Sequence, residues 1–286
     1  MGRSSVYAEI AIWTLVLSLV FITTLAIPTA HAKSCIALGS RWWVPPEEQR
    51  ADAFIASYFT LRAQWYRGYT PYNWYGSSTD RYHILRAARG AGHLKSVVFY
   101  IGHGSCEAVW KWSTWRFEMH WFITTDSEWW PDKVYDMDIY HESACRNVRF
   151  VILWTCHGGD VIGGFHSSGD PYGMPHAWLH TTRLSSDGYK RPDGRGYVFI
   201  GWTKAAPFLT ANKGEGRRFM YYFIRYFFDR TRRSVNEALD YASRMVWGAR
   251  IRRFEDSKYY KGWTRGWWIF STRFRMVVYG DGSFRA

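Results

Sequence analysis

Three short runs, "SVVFYI" at 96–101, "VRFVILWTC" at 148–156 and "YVFIGWT" at 197–203, are apolar almost throughout rather than at every second residue. Strands that are buried on both faces read this way, and a sheet hides both faces only when helices cover it on two sides, as in parallel α/β sheets. The segments between the runs supply those helices. Residues 47–66 place Phe54, Ile55, Tyr58, Leu61 and Trp65 on one helical face. Residues 79–89 read as a helix capped by Ser78 or Thr79 and stopped at Gly90. Residues 215–229 and 235–247 give two more, the second opened by Ser234 and Glu237 at capping-box spacing. Short apolar strands alternating with amphipathic helices predict an α/β domain with a largely parallel sheet. The Trp-rich stretch 105–149 reads as a hairpin through "HWFITT" with a loop, 157–196 as mostly loop, and 267–281 as a closing strand.

Two of the runs end on chemically active side chains. His103 follows the first between Gly102 and Gly104, and Cys156 ends the second, ahead of His157, Gly158 and Gly159. Ligands in parallel sheets bind beyond the carboxyl ends of the strands, so if these strands are neighbours the imidazole and the thiol share one crevice. A thiolate is a strong nucleophile, and a nearby imidazole makes it available near neutral pH. The histidine precedes the cysteine by 53 residues, the order and about the spacing found in caspases.

On these two blocks, "YIGHG" and "VILWTCHGG", the chain resembles the caspase-like cysteine peptidases, and the later "YVFIGWT", "SVNEALDYAS" and "VVYGDGSF" are similar to secreted gingipain-like members. The resemblance covers roughly residues 36–284, with only the two blocks specific. It implies a caspase-like three-layer sandwich in which a mostly parallel central sheet is flanked by helices. It also implies Cys156 as nucleophile, His103 as general base and acid, and the backbone N–H groups of Gly104 and Cys156 as oxyanion hole. Relatives require no cofactor for the chemistry, although some use calcium. Trp154-Thr155 stands where caspases carry Gln-Ala, so specificity for Asp is not implied, and Trp154 also replaces the Asp that metacaspases use toward basic side chains. An oxyanion hole needs N–H groups near 3 Å from the developing charge; Gly104 lets backbone come that close, and Gly158 and Gly159 allow a tight turn.

Other groups near the blocks have plainer readings. His157 adjoins the nucleophile, but adjacent residues of an extended chain point to opposite sides, so it faces away. Glu107 is either an orienter of His103 or a solvated loop carboxylate. His103, Cys106, Cys156 and His157 form an inventory that could hold zinc, yet adjacent ligands serve one metal awkwardly, and no metal is expected. Asp160, four residues past Cys156, is the first candidate for a substrate-binding carboxylate, with Trp154 beside it; Asp136 and Asp138, in a loop before the Cys156 strand, are further ones. A carboxylate buried there would select Arg or Lys through a charge-assisted hydrogen bond. "RRFMYYFIRYFFDRTRR" reads as an amphipathic helix with solvated arginines rather than a nucleic-acid patch.

The apolar run 10–27, then Pro28 and Ala30-His31-Ala32, reads as a secretory signal ending at residue 32 or, given its length, an uncleaved anchor. That leaves a single peptidase domain over 33–286, secreted or on the extracellular face, with membrane contact only if the anchor stays. In such a compartment Cys35, Cys106 and Cys145 could supply one disulfide. The net charge of +13 speaks to anionic surroundings rather than to fold. The expected activity is endopeptidase cleavage of a protein or peptide, without nucleic acid and with the oligomeric state open; a transpeptidase using the same dyad, or a binding-only relative, are the alternatives.

Overall fold

In the computed structural model the first described element is strand β1 (Lys33–Gly39), at a place where no strand was expected. The structure describes residues 33–112, 115–126, 130–161, 173–179, 196–248, 261–265 and 271–286; the leader expected over 1–32 and most of the loop expected over 157–196 lie outside them. Around β1 a seven-stranded sheet assembles in the order β2-β1-β3-β7-β8-β10-β9, where β2 is Thr70–Asn73, β3 Lys95–Ile101, β7 Val148–Trp154, β8 Val198–Lys204, β9 Lys261–Arg265 and β10 Ser271–Gly280. The first five strands are parallel; β10 runs antiparallel to β8, and β9 pairs antiparallel with β10. A second sheet of β4 (Gly104–Lys111), β5 (Arg116–Thr124) and β6 (Lys133–Tyr135) is antiparallel. It occupies the region read as hairpin and loop.

Both faces of the main sheet are covered. Along β3, Val97, Phe99 and Ile101 join one core, while Val98 and Tyr100 join the other; the same alternation in β1 and β7 makes their apolar runs continuous. The first core is closed by α1 (Pro46–Arg67), α5 (Ala211–Phe227) and α6 (Val235–Trp247). The second is closed by α2 (Arg81–Arg89), α3 (Asp136–Glu142) and α4 (Met174–Leu179), together with Trp121, Ile123 and Val134 of the small sheet. This is the expected three-layer α/β sandwich, and residues 33–286 form one compact unit.

Local signals placed some elements better than others. Ser234 and Glu237 form the capping box as read, and α6 spans the expected residues. The second helix instead takes Asp80 as its cap, its carboxylate accepting from the His83 amide at 2.7 Å. Thr79 is unavailable because its hydroxyl already serves the Gly39 amide and the Trp74 carbonyl. In α1 the expected face is corrected. The buried residues include Ala51, Ile55, Ala56, Phe59 and Ala63, whereas Phe54, Leu61 and Trp65 are exposed. The alanines let the helix lie close to β1, and the aromatics move to its rim, where Phe54 stacks on Tyr58 and Tyr58 on Tyr221.

All four cysteines are free thiols, and Cys35 is wholly buried in β1. Among the described residues no helix is long and apolar enough to cross a membrane.

Candidate active site

Strands β3 and β7 are direct neighbours, in parallel register from Ser96 opposite Val148 to Ile101 opposite Trp154. Their carboxyl ends therefore lie side by side, and His103 and Cys156, two residues beyond each end, line one cavity of about 100 Å³. Trp154, Ala206 and Phe208 form part of its wall, and Glu48 and Asp52 of α1 form another part.

The imidazole is held from behind. The loop after β1 is fixed by Arg41, whose amide and Nε bond Asp126 at 2.6 and 3.0 Å, and by Ser40, whose hydroxyl donates to the Thr125 carbonyl. Trp42 in this loop sets its ring edge-on to His103 at 5.8 Å and accepts a hydrogen bond from the imidazole on its backbone carbonyl. Nε2 is buried with no hydrogen-bond partner among the described residues. Burial holds the His103 pKa below its ordinary value, opposed by the Trp42 bond.

The thiol of Cys156 accepts from the Ala206 amide at 3.3 Å. Burial raises its pKa; the amides of Ala206 and of Cys156 itself work the other way, while the charge of Asp160 adds to the rise. Both shifts favour a neutral thiol beside a neutral imidazole.

Gly104, which opens β4, lies against the backbone of Cys156. A Cβ there would overlap Thr155 Oγ1 and sit 2.8 Å from the Phe122 carbonyl and 3.2 Å from the Cys156 carbonyl oxygen. Only glycine brings β4 this close to the end of β7.

Several expectations are corrected. Asp160 does not line the cavity; its carboxylate bonds His157 Nδ1 at 2.5 Å and accepts from the Lys204 amide at 3.3 Å. That bond occupies His157, which is also absent from the cavity wall. Asp136 and Asp138 are not loop acids. They open α3, where Asp136 is buried against His120 at 2.9 Å and Asp138 caps the Tyr135 amide and pairs with Arg81. Glu107 turns to Lys133 and Tyr135 rather than to His103. Trp154 does line the cavity, its indole N–H donated to the Pro207 carbonyl at 2.8 Å. Among the described residues no group of three or more His, Cys, Asp and Glu side chains converges as a metal site.

The carboxylates that do reach the cavity come from the helix expected over 47–66, whose part in the cavity was not expected. Glu48 and Asp52, one turn apart on α1, are 3% and 2% exposed. Glu48 accepts from the Leu209 amide and from the Thr210 amide (2.8 Å) and hydroxyl (2.6 Å). Burial, the charge of Glu48 and a hydrogen bond to it push the Asp52 pKa up to about 9, so Asp52 keeps its proton and shares it with Glu48. Its Oδ1 is buried without a partner among the described residues.

Comparison with known proteins adds little to this picture. No family model and no curated protein matches the sequence. Among solved structures, the complex of the pro- and mature domains of RgpB from Porphyromonas gingivalis is similar over 89% of this chain, at 16% identity and a TM-score of 0.43. The chain spans about half of that structure, 48% of its length.

Proposed function

We propose that this chain is a secreted or surface-exposed cysteine endopeptidase that cleaves after basic residues. The observation that carries the reading is the meeting of His103 and Cys156 in one cavity at the carboxyl end of a parallel sheet. Support comes also from the sequence blocks around the two residues, which resemble those of caspase-like peptidases.

In the proposed reaction, Cys156 Sγ attacks the scissile carbonyl carbon while His103 Nε2 takes its proton, and the resulting oxyanion is met by the Gly104 and Cys156 amides. Collapse to the thioester expels the amine, which leaves with the proton held by His103. Water, deprotonated by the same imidazole, then releases the acid and restores the thiol. The base is neutral in the resting protein, which agrees with an imidazole whose pKa is lowered by burial.

Selectivity falls to Glu48 and Asp52. An arginine or lysine side chain entering the cavity meets Glu48 and the unpartnered Oδ1 of Asp52. The cation's charge lowers the Asp52 pKa, so that carboxyl releases its proton to water and becomes a second carboxylate, forming charge-assisted hydrogen bonds with the incoming side chain.

The test is mass spectrometry of the protein after incubation with acyloxymethyl-ketone peptides that differ in the residue before the reactive group. Labelling at Cys156 by Arg and Lys probes above Asp and Leu probes is expected. Absence of any adduct on Cys156 would remove the peptidase reading and leave a binding protein; equal labelling by all probes would remove the basic preference alone.

A further inference from the structure

At the opposite edge of the main sheet, where the parallel strands begin, neighbouring strands each start with a cation. Lys33 opens β1, Lys95 opens β3, and Arg149 is the second residue of β7. They line a cavity of about 330 Å³ together with Arg285 from the chain's last turn, Tyr69 and Ser96. Lys33 and Lys95 are register partners across the β1–β3 ladder, and adjacent strands lie only about 4.8 Å apart. Like charges set directly opposite each other destabilise a sheet.

Among the described residues no carboxylate lines the cavity, and of its four cations only Arg285 has a carboxylate partner, Glu237 at 3.6 Å. Lys33 and Arg149 pack instead over the rings of Tyr69 and Tyr197, at 5.3 and 4.1 Å. Arg67 and Arg232 add positive potential, and together with burial and Lys95 they lower the Lys33 pKa.

We propose that this cavity is a binding site for a phosphate group, held by Lys95 and Arg149 from the strand ends and by Lys33 and Arg285 across the opening. A phosphate dianion removes the repulsion between Lys33 and Lys95 and offers the Arg149 guanidinium the bidentate geometry it prefers. The group is carried either by a soluble phosphate ester or by an anionic lipid headgroup. The site lies at the other end of the strands from His103 and Cys156 and does not depend on the peptidase reading.

Thermal melting and equilibrium dialysis of the full chain test this, with inorganic phosphate and pyrophosphate set against sodium chloride of equal ionic strength. Flotation with phosphatidylglycerol or phosphatidylcholine vesicles forms the second arm, always compared with wild type so that any contribution of residues 10–27 is common. Saturable phosphate binding that weakens at least tenfold in Lys95→Gln/Arg149→Gln, without vesicle preference, assigns a soluble ester. Binding only to phosphatidylglycerol, weakened as much by the same substitutions, assigns the headgroup. Lys95→Gln is at an exposed position and should fold; without anion it should melt above wild type, because the facing pair is relieved. No saturable effect in either arm, or unchanged affinity in the double variant, overturns the proposal.

Discussion

Replacing Asp52 with Asn separates the two things this carboxyl does. In the folded chain its pKa is pushed from 3.8 up to about 9, first by burial and then by Glu48. Unfolded, it ionises near its ordinary value. A group whose folded pKa is raised contributes stability fully below the unfolded value and loses it as pH rises through the folded one. Wild type should therefore weaken steadily between about pH 4 and pH 9. At about 1.36 kcal/mol per pH unit this costs on the order of 4 kcal/mol by pH 7, with a ceiling of about 7 kcal/mol at pH 9. Asn keeps the shape and a donor for Glu48 but has no proton to lose, so Asp52→Asn should match wild type near pH 4 and exceed it increasingly above. Urea unfolding of both proteins at pH 5, 7 and 9 measures the gap. The same substitution deprives an incoming cation of its second carboxylate. A hydrogen bond to a charged group is worth about 1.5–3 kcal/mol, so kcat/KM for Arg substrates should fall about tenfold to a hundredfold while that for neutral substrates holds. Parallel stability curves in the two proteins would show that Asp52 ionises normally and would refute the reasoning.

Cys156→Ala should abolish turnover and covalent labelling, because the proposed reaction has no second nucleophile. His103→Ala should lower kcat by about 10²–10⁴-fold, whereas His157→Ala, whose ring is engaged by Asp160, should change it far less. The acid limb of kcat/KM against pH should fall below the ordinary histidine range, since the imidazole must be neutral and burial lowers its pKa. Gly104→Ala forces a methyl into Thr155 and the Phe122 carbonyl and should cost about 1–3 kcal/mol in thermal or urea unfolding.

How much of this was legible depended on whether a feature was local. The Ser234–Glu237 box was readable because both partners sit within one helical turn. The sheet was readable because β3, β7 and β8 are apolar on both faces. The α1 face was misread because size was taken for burial: Ala51, Ala56 and Ala63 let the helix approach β1 closely, and no pattern of large residues announces that. The start of α2 shifted to Asp80 because a tertiary contact to Gly39 had claimed Thr79 first.

The site divides along the same line. That His103 and Cys156 meet was readable because each follows an apolar strand and the strands are neighbours. Asp160 was chosen for its distance along the chain from Cys156, but a nearer partner three residues away, His157, takes that carboxylate. Glu48 and Asp52 lie more than fifty residues before His103, in "PEEQRAD", where nothing in the sequence ties them to the two blocks. Only the packing of α1 on β1 and α5 buries them. Once they are buried, Asp52 must keep its proton or acquire a cation, and the unpartnered Oδ1 beside the thiol leaves room for the second outcome. The Trp42 carbonyl could not be found from residue identity at all, because every residue has one; what selects it is the Arg41–Asp126 clamp that fixes its loop behind the imidazole. A carbonyl orienter also differs chemically from a carboxylate. It adds no full negative charge, so it stabilises imidazolium less. That agrees with burial prevailing at His103, which favours a neutral imidazole beside the thiol of Cys156.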